Sequence, residues 1–491
     1  MTDRLGRSAL IGTSWLLVQN IGTRVISFGS QIILARLLAP SDFGNIGLAL
    51  TVTTLASVIA NFGVDDVLLQ RQRTLRHWAS SGFVASLVLG LLSFLAVALA
   101  SPLFVAIYHS PILLTLLPLM ALAMPLTALS TVPMAKLRAD LNFRLIASYT
   151  TVELAATQLL TIGLAVWGFG VYSFAIPMPV MALVRAIAFW LIAKPRLGRI
   201  RLKQLRMMGS NSAAVFGTKI LTAAVSQGDY FILGLFAAKP VVGAYFFAFR
   251  LAIQPVQLLA GNLSNVLFPV LSHLKNEPVR QKSAALKASR VLAFVVMPYC
   301  FLQAAIARPL LTLVFGARWQ AAIPLVEILS VGLAFDAVSW VAGALLQARG
   351  EFRRSFIYSC VFFPLFFVMV TMGALYFSAA GVATAVSIFY IAFAPLYSYK
   401  VFSRVGASLG EVAAIYVPPV ILATISAGAS ILSARWIGGG DLIDAAVVGT
   451  VGSAIYLGLV HVFAPSVLHQ LIERFRETRL FRTSRAAVGV G

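Results

Sequence analysis

Residues 32–49 read IILARLLAPSDFGNIGLA, and residues 231–248 read FILGLFAAKPVVGAYFFA. At a constant offset of 199, Ile33-Leu34 falls on Ile232-Leu233 and Gly44 falls on Gly243. In both copies an apolar run ends, a proline (Pro40, Pro240) marks a tight turn, and a glycine opens the next run. Proline suits that place because it lacks an N–H and fits only the first turn of a helix. Each copy therefore reads as the end of one helix, a turn, and the start of another. The pair is an internal repeat, which implies two related halves.

The rest of the chain follows the same rule of long apolar runs and short polar breaks. Of 491 residues, 60% are hydrophobic and 11% are charged, against about 25% charged in soluble proteins. A membrane-spanning helix needs roughly 20 apolar residues. Fourteen such runs are expected, at about 12–38, 44–69, 79–100, 112–134, 146–167, 170–193, 210–236, 241–270, 288–309, 323–347, 355–377, 380–399, 411–433 and 441–463. The expected fold is all-α and polytopic: two six-helix lobes related by a parallel repeat, plus a C-terminal helix pair. The lobes are placed at 1–193 and 210–400, joined by a basic linker at 194–209. An extra pair at 401–463 and a basic tail at 464–491 follow. Arg4 and Arg7 precede the first run, but it carries Arg24 and lacks a cleavage site, so the first helix is expected to be retained.

The net charge of +22 does not point to nucleic acid, because the cations are arranged by topology. Twenty-nine of the 38 Lys and Arg residues fall in alternate breaks or the termini, including the cluster Lys194 to Arg206 and the tail from Arg474 to Arg485. Five lie on the other side: Arg36, Lys239, Arg308, Arg318 and Arg435. An excess of Lys and Arg marks the cytoplasmic side, so both termini are expected inside a bacterial inner membrane. Cys300 and Cys360 lie far apart in apolar runs, and the five histidines share no ligand spacing, so no disulfide, metal or cofactor is expected. The loops are short, which leaves no room for a catalytic domain, and no enzymatic activity is expected.

Helical spacing collects the intramembrane polar residues into stripes. Thr13, Asn20, Arg24, Ser27 and Gln31 share one face of the first span. Ser212, Lys219, Thr222, Ser226 and Asp229 do so on the seventh, and Arg250, Gln254, Gln257, Gly261 and Ser264 on the eighth. The second span carries a thinner stripe of Thr51, Thr54, Asn61 and Asp65. A charge at the bilayer centre costs at least about 2.5–3.5 kcal/mol, so such faces are expected to line a hydrated interior; helix packing is the plainer reading of their Ser, Thr and Gly positions. Arg24, Lys219 and Arg250 make that interior cationic and suit an anionic ligand such as a pyrophosphate, whose oxygens arginine holds in pairs. Asp229 is expected to pair with Lys219 or Arg250 or to serve ion coupling, and Glu153, Glu327 and Asp336 are expected to be either ion-coupling sites or local ion-pair partners.

The stretch ILARLLAPSDFGNIGLA, together with NFGVDDVLLQR at 61–71 and QARGEFRRS at 347–355, resembles Wzx-type polysaccharide exporters. These belong to the multidrug/oligosaccharidyl-lipid/polysaccharide superfamily, in the branch serving succinoglycan, xanthan or colanic acid. The resemblance implies a flippase that carries undecaprenyl-diphosphate-linked oligosaccharide repeat units to the periplasmic leaflet. It implies a cationic cavity, with Arg24 and Arg250 matching the arginines of the first and eighth helices, and a polysaccharide polymerase and co-polymerase as partners. Three rival readings share part of this pattern: a drug or metabolite cation antiporter, a membrane polymerase or ligase, and a peptidoglycan-precursor flippase. The antiporter calls for an acidic interior and the polymerase for a large outer loop.

The topology is directly testable. A reporter active only in the periplasm should be silent when fused after Arg206 and active when fused after Lys239.

Overall fold

The computed structural model describes residues 22–465 apart from 23–25, 63, 65, 66, 69–73, 141, 196, 199 and 201. No strand occurs among the described residues. The helices are α1 (Ile26–Leu37), α2 (Pro40–Asn61), α3 (Leu75–Tyr108), α4 (Leu113–Ala139), α5 (Phe143–Val166), α6 (Tyr172–Ala193) and α7 (Leu202–Phe236). They continue as α8 (Lys239–His273), α9 (Pro278–Phe315), α10 (Ala317–Arg349), α11 (352–376), α12 (379–402), α13 (Leu409–Ile437) and α14 (Asp441–Phe463). The α11–α12 pair runs on through a break at Phe377 and Ser378, where Ser378 takes φ 53°. A helix thus lies at each of the fourteen expected positions, and eleven stretches are long and apolar enough to cross a membrane. The protein is a multi-pass membrane protein. α7 falls short of that hydropathy because its stripe of Lys219, Thr222, Ser226 and Asp229 interrupts the apolar run.

The chain packs as two compact units, Met1–Phe246 and Phe247–Gly491. In the first, α7 lies against α2 and α3, and α4 packs on α3 and α6. Lipid offers no hydrophobic drive for helices to associate, so small residues that allow close approach dominate such contacts. The two repeated turns supply the clearest case. A Cβ on Gly44 would collide with the Lys239 carbonyl oxygen, and a Cβ on Gly243 with the Pro40 carbonyl oxygen. The repeat offset maps Gly44 onto Gly243 and Pro40 onto Lys239, so the contact is reciprocal about a local twofold axis.

Neighbouring residues extend the same contact. The Phe246 ring sits where a Gly47 side chain would begin, 3.0 Å from its Cβ position, and Tyr108 lies 2.8 Å from that of Gly234. Lys239 donates through Nζ to the Tyr108 carbonyl, and Ser110 donates to Asn45 Oδ1 at 2.8 Å. The Asp42 carboxylate accepts the Ala39 N–H at 2.9 Å, closing the first turn of α2.

In the second unit α10 is well enclosed, packed by α8, α9 and the α11–α12 pair. Fully buried Trp319 stacks on Phe247 with ring centroids 4.0 Å apart. The aromatic residues of α11 pack on α12 through Phe362–Phe393, Phe366–Phe389 and Tyr358–Tyr397. That assigns the phenylalanine-rich run chiefly to helix packing. The basic turn 347–355 is organised by one carboxylate: Arg349 Nε donates to Glu351 Oε1 at 2.9 Å and Arg354 Nη1 to Oε2. Arg349 also reaches Gln281 Oε1 at 3.0 Å, tying the turn to α9. Cys300 and Cys360 are both free thiols.

Two outcomes follow. Gly44→Leu and Gly243→Leu should each lower Tm, by the equivalent of about 1–3 kcal/mol of overpacking; unchanged Tm in either would refute the close contact. Partial burial pushes the Glu351 carboxyl up, but the hydrogen bonds and charges of Arg349 and Arg354 outweigh it and hold it below its ordinary value of 4.5. Its contribution is therefore present above pH 4.5 and lost as the pH falls through the lower folded value. Glu351→Gln should flatten the acid limb of a Tm-versus-pH curve.

Candidate functional site

Each unit encloses a polar cavity, and the expected stripes contribute to both. In the first unit a cavity of about 190 Å³ lies between α2, α3 and α4, with Met178 of α6. Thr54, Ser57 and Asn61 line it from α2, one turn apart along a single face, and Thr127 and Thr131 line it from α4. Ser86 completes the polar lining; its hydroxyl is buried and has no hydrogen-bond partner, leaving it open to a ligand. Thr51, expected on the same stripe, instead turns into the packing, where its hydroxyl donates to the Gly47 carbonyl at 2.9 Å.

The spacing argument missed Arg185. Its Nη2 donates to Thr127 Oγ1 at 3.1 Å, and its Nη1 stands 3.6 Å from Glu153 Oε1. Glu153 is therefore the partner of a local ion pair, two residues removed from the cavity wall through Arg185 and Thr127. Thr127 and Thr131, four residues apart on one helix face, were the available signal for the α4 contribution.

The stripe on α7 divides into two parts. Lys219, Thr222 and Ser226 are exposed, whereas Asp229 is buried at 2% exposure. The Asp229 carboxylate accepts the Tyr245 hydroxyl at 2.7 Å and the Tyr230 N–H at 2.9 Å. The expected pairing of Asp229 with Lys219 or Arg250 is thus corrected: a tyrosine and a backbone amide satisfy it instead, within the packing beside the Gly44–Gly243 contact. Spacing placed it on the polar face, but that face ends against α8.

In the second unit, α8 loosens to a π turn at Gln257–Gly261, a feature often found at functional sites. Arg250 and Gln257 are exposed and Gln254 is half-buried. Beyond the π turn, Gly261 and Ser264 line a cavity of about 420 Å³ with Trp340 and Gln347. The Ser264 hydroxyl is buried without a partner. Trp340 is held by its indole N–H donating to Asp336 Oδ2 at 2.9 Å, so Asp336 orients an aromatic wall. Trp340 and Gln347 were not anticipated. Glu327, nine residues from Asp336, faces another cavity altogether, as opposite sides of one helix require.

Ser27 and Gln31 on α1 are half-buried. Asn20, Arg24 and Asp65 lie outside the described residues.

The profile of a family described as polysaccharide biosynthesis protein matches residues 33–324, more than half the chain. The chain belongs to that polysaccharide biosynthesis family. It is 26% identical over 319 residues to the succinoglycan biosynthesis transport protein ExoT of Rhizobium meliloti (strain 1021), covering 65% of this chain and 64% of that relative's length. It is 22% identical over 389 residues to the lipopolysaccharide biosynthesis protein WzxC of Escherichia coli (strain K12), covering 77% of each. Among solved structures, an inward-closed form of the lipid II flippase MurJ overlays with a TM-score of 0.76 at 13% identity, over 92% of this chain and 99% of that one. An inward-facing multidrug resistance MATE family transporter of the MOP superfamily overlays with a TM-score of 0.63 at 17% identity, over 79% and 96%. At such identities the overlays establish the fold of this family member, a MurJ- and MATE-like helical bundle.

The Arg185–Glu153 pair makes a clean test. Arg185→Met and Glu153→Met should each destabilise the protein, and the double variant should recover part of the loss, with a coupling of about 0.5–3 kcal/mol. Additive losses would show that the two side chains do not act together.

Proposed function

We propose that this polysaccharide biosynthesis family member is a flippase. On this reading it moves undecaprenyl-diphosphate-linked oligosaccharide units from the cytoplasmic to the periplasmic leaflet of the inner membrane, for exopolysaccharide or O-antigen assembly. The observation that carries the reading is the family match over residues 33–324, joined to relatives named for succinoglycan transport and lipopolysaccharide biosynthesis. Both termini lie in the cytoplasm, the lobes run 1–193 and 210–400 about the basic linker 194–209, and a polymerase and co-polymerase take up the product.

The chemistry of the polar faces supports an anionic cargo. Lys219 and Arg250 are exposed on the polar faces of α7 and α8, and with Arg24 they form the proposed cationic lining for the diphosphate. Asn20, Ser27, Gln31, Asn61, Ser226, Gln254 and Gln257 supply hydrogen bonds for phosphate and sugar. The carboxylates that a cation antiporter would need are largely engaged. Glu153 stands beside Arg185, Asp229 accepts from Tyr245, and Asp336 accepts from Trp340. Glu327 is the candidate left for ion coupling. Transport needs a bistable bundle whose two states bind the cargo differently, and the membrane potential biases the movement of a charged headgroup.

Deleting the gene should abolish secreted polymer and leave diphosphate-linked repeat units on the inner leaflet, measured in extracted membrane lipids. Arg24→Ala combined with Arg250→Ala should reproduce that loss at normal protein level. Unchanged polymer from the stable double variant would remove the cationic lining from the mechanism. Unchanged polymer and lipid intermediates after deletion, in a host with no second flippase, would favour the antiporter.

A further inference from the structure

The largest cavity described in the second unit, about 1150 Å³, opens where the C-terminal ends of α9 and α13 meet the N-terminal ends of α10 and α14. Four ionisable side chains from four helices line it: Arg308 of α9, Glu327 of α10, Arg435 of α13 and Asp444 of α14. None of the four makes an ion pair or a side-chain hydrogen bond among the described residues. One carboxylate oxygen of Asp444 is buried with no partner at all. A buried acceptor left unpaired costs about 1–3 kcal/mol, and more when charged. Asp444 and Arg435 each suit the dipole of their own helix end, which accounts for their presence there but not for four charges around one cavity.

The rest of the wall is mostly apolar, and its three hydroxyls, Thr384, Ser387 and Thr424, each donate to a backbone carbonyl. Ile328, Val331 and Ile431 line its depth, while Ile388 and Ile391 of α12 lie at its side and are 50% and 40% exposed on the surface of the bundle. An occupant of this cavity therefore meets two cations and two anions at one end and aliphatic side chains open to the bilayer along its flank.

We propose that this cavity is a binding site for a phospholipid with a zwitterionic phosphoethanolamine head, held in the leaflet at that end of the bundle. The phosphodiester accepts hydrogen bonds from the Arg308 and Arg435 guanidiniums, which grip phosphate oxygens in pairs. The ammonium donates to Glu327 and Asp444, and an acyl chain lies along Ile388, Ile391 and Ile431. Charge balance selects this head. Two cations and two carboxylates sum to zero, so a neutral zwitterion satisfies all four, an anionic head leaves the carboxylates unmatched, and a choline head offers them no N–H donor. On the orientation proposed above, the leaflet is the outer one. The site shares no residue with the proposed cationic lining and stands whether or not the chain is a flippase; a lipid held there engages Glu327, so this reading replaces ion coupling at that residue.

The test uses the purified full-length protein and three defined lipids: phosphatidylethanolamine, phosphatidylglycerol and phosphatidylcholine. Bound lipid is counted by native mass spectrometry, and Tm is followed as each lipid is titrated in. Phosphatidylethanolamine should be retained in preference to the other two and raise Tm more. Arg308→Gln with Arg435→Gln should weaken its binding roughly tenfold or more, while the paired lysine substitutions, which keep the charge but lose the paired grip, should weaken it less. If the double variant does not fold, Glu327→Gln and the competition on the unaltered protein decide. Equal retention of all three lipids, preference for phosphatidylglycerol, or displacement of phosphatidylethanolamine by an equimolar prenyl diphosphate would each overturn the proposal.

Discussion

The reciprocal contact of Gly44 and Gly243 is the constraint on which the first unit depends. Each glycine meets the backbone carbonyl that begins the other copy of the turn, so neither site has room for a methyl group. Because the helices approach this closely, Phe246 reaches over Gly47 and Tyr108 over Gly234. The same approach brings Tyr245 to Asp229, 2.7 Å between hydroxyl and carboxylate. One buried carboxylate is thereby made a structural element of that contact. In a bilayer this is a physically economical way to hold helices, since dispersion and hydrogen bonds, not release of apolar surface from water, must do it.

Charge inside the helices is distributed by the same logic. Glu153 and Asp336 each have a specific partner, Arg185 and Trp340; Trp340 lines one cavity and Arg185 donates to Thr127, which lines the other. A carboxylate so placed does not serve as a free acidic site; it sets the position of its partner. Lys219 and Arg250 are exposed. The proposed preference for an anionic cargo rests on the cationic side chains of α7 and α8 and on the family to which the chain belongs. Neither polar cavity, at about 190 and 420 Å³, is large enough alone to enclose an oligosaccharide.

Most of the architecture was legible because hydropathy and topology are one-dimensional properties. Apolar length locates a helix whatever it packs against, and a helix lies at every expected span. The turn of Pro40 and Gly44 was read as one of two copies of a helix–turn–helix, and the structure brings the two copies against each other. Residue-level roles were less legible, because periodicity gives the face of a helix but not its neighbour. Asp229 shares a face with Lys219 and Ser226, yet α8 covers only the end that carries Asp229. Thr51 shares a face with Thr54 and Asn61 but donates back to Gly47. Arg185 belonged to no stripe, and only the packing of α4, α5 and α6 places it beside both Thr127 and Glu153.

The π turn of α8 at Gln257–Gly261 shifts the register between the two parts of its polar face. A π turn accommodates an additional residue in the helix, and in an α-helix each residue turns the chain by about 100°. Arg250 and Gln254 precede that offset and Ser264 follows it, so a wheel drawn with one uniform period misplaces one group relative to the other. Relatives that straighten this segment would align with a single-residue gap here. Removing one residue between Gln257 and Gly261 should likewise swing Ser264 away from Trp340 while leaving Arg250 where it stands. The register of α8 is thus an adjustable coupling between the exposed cation on one side of the π turn and the cavity on the other.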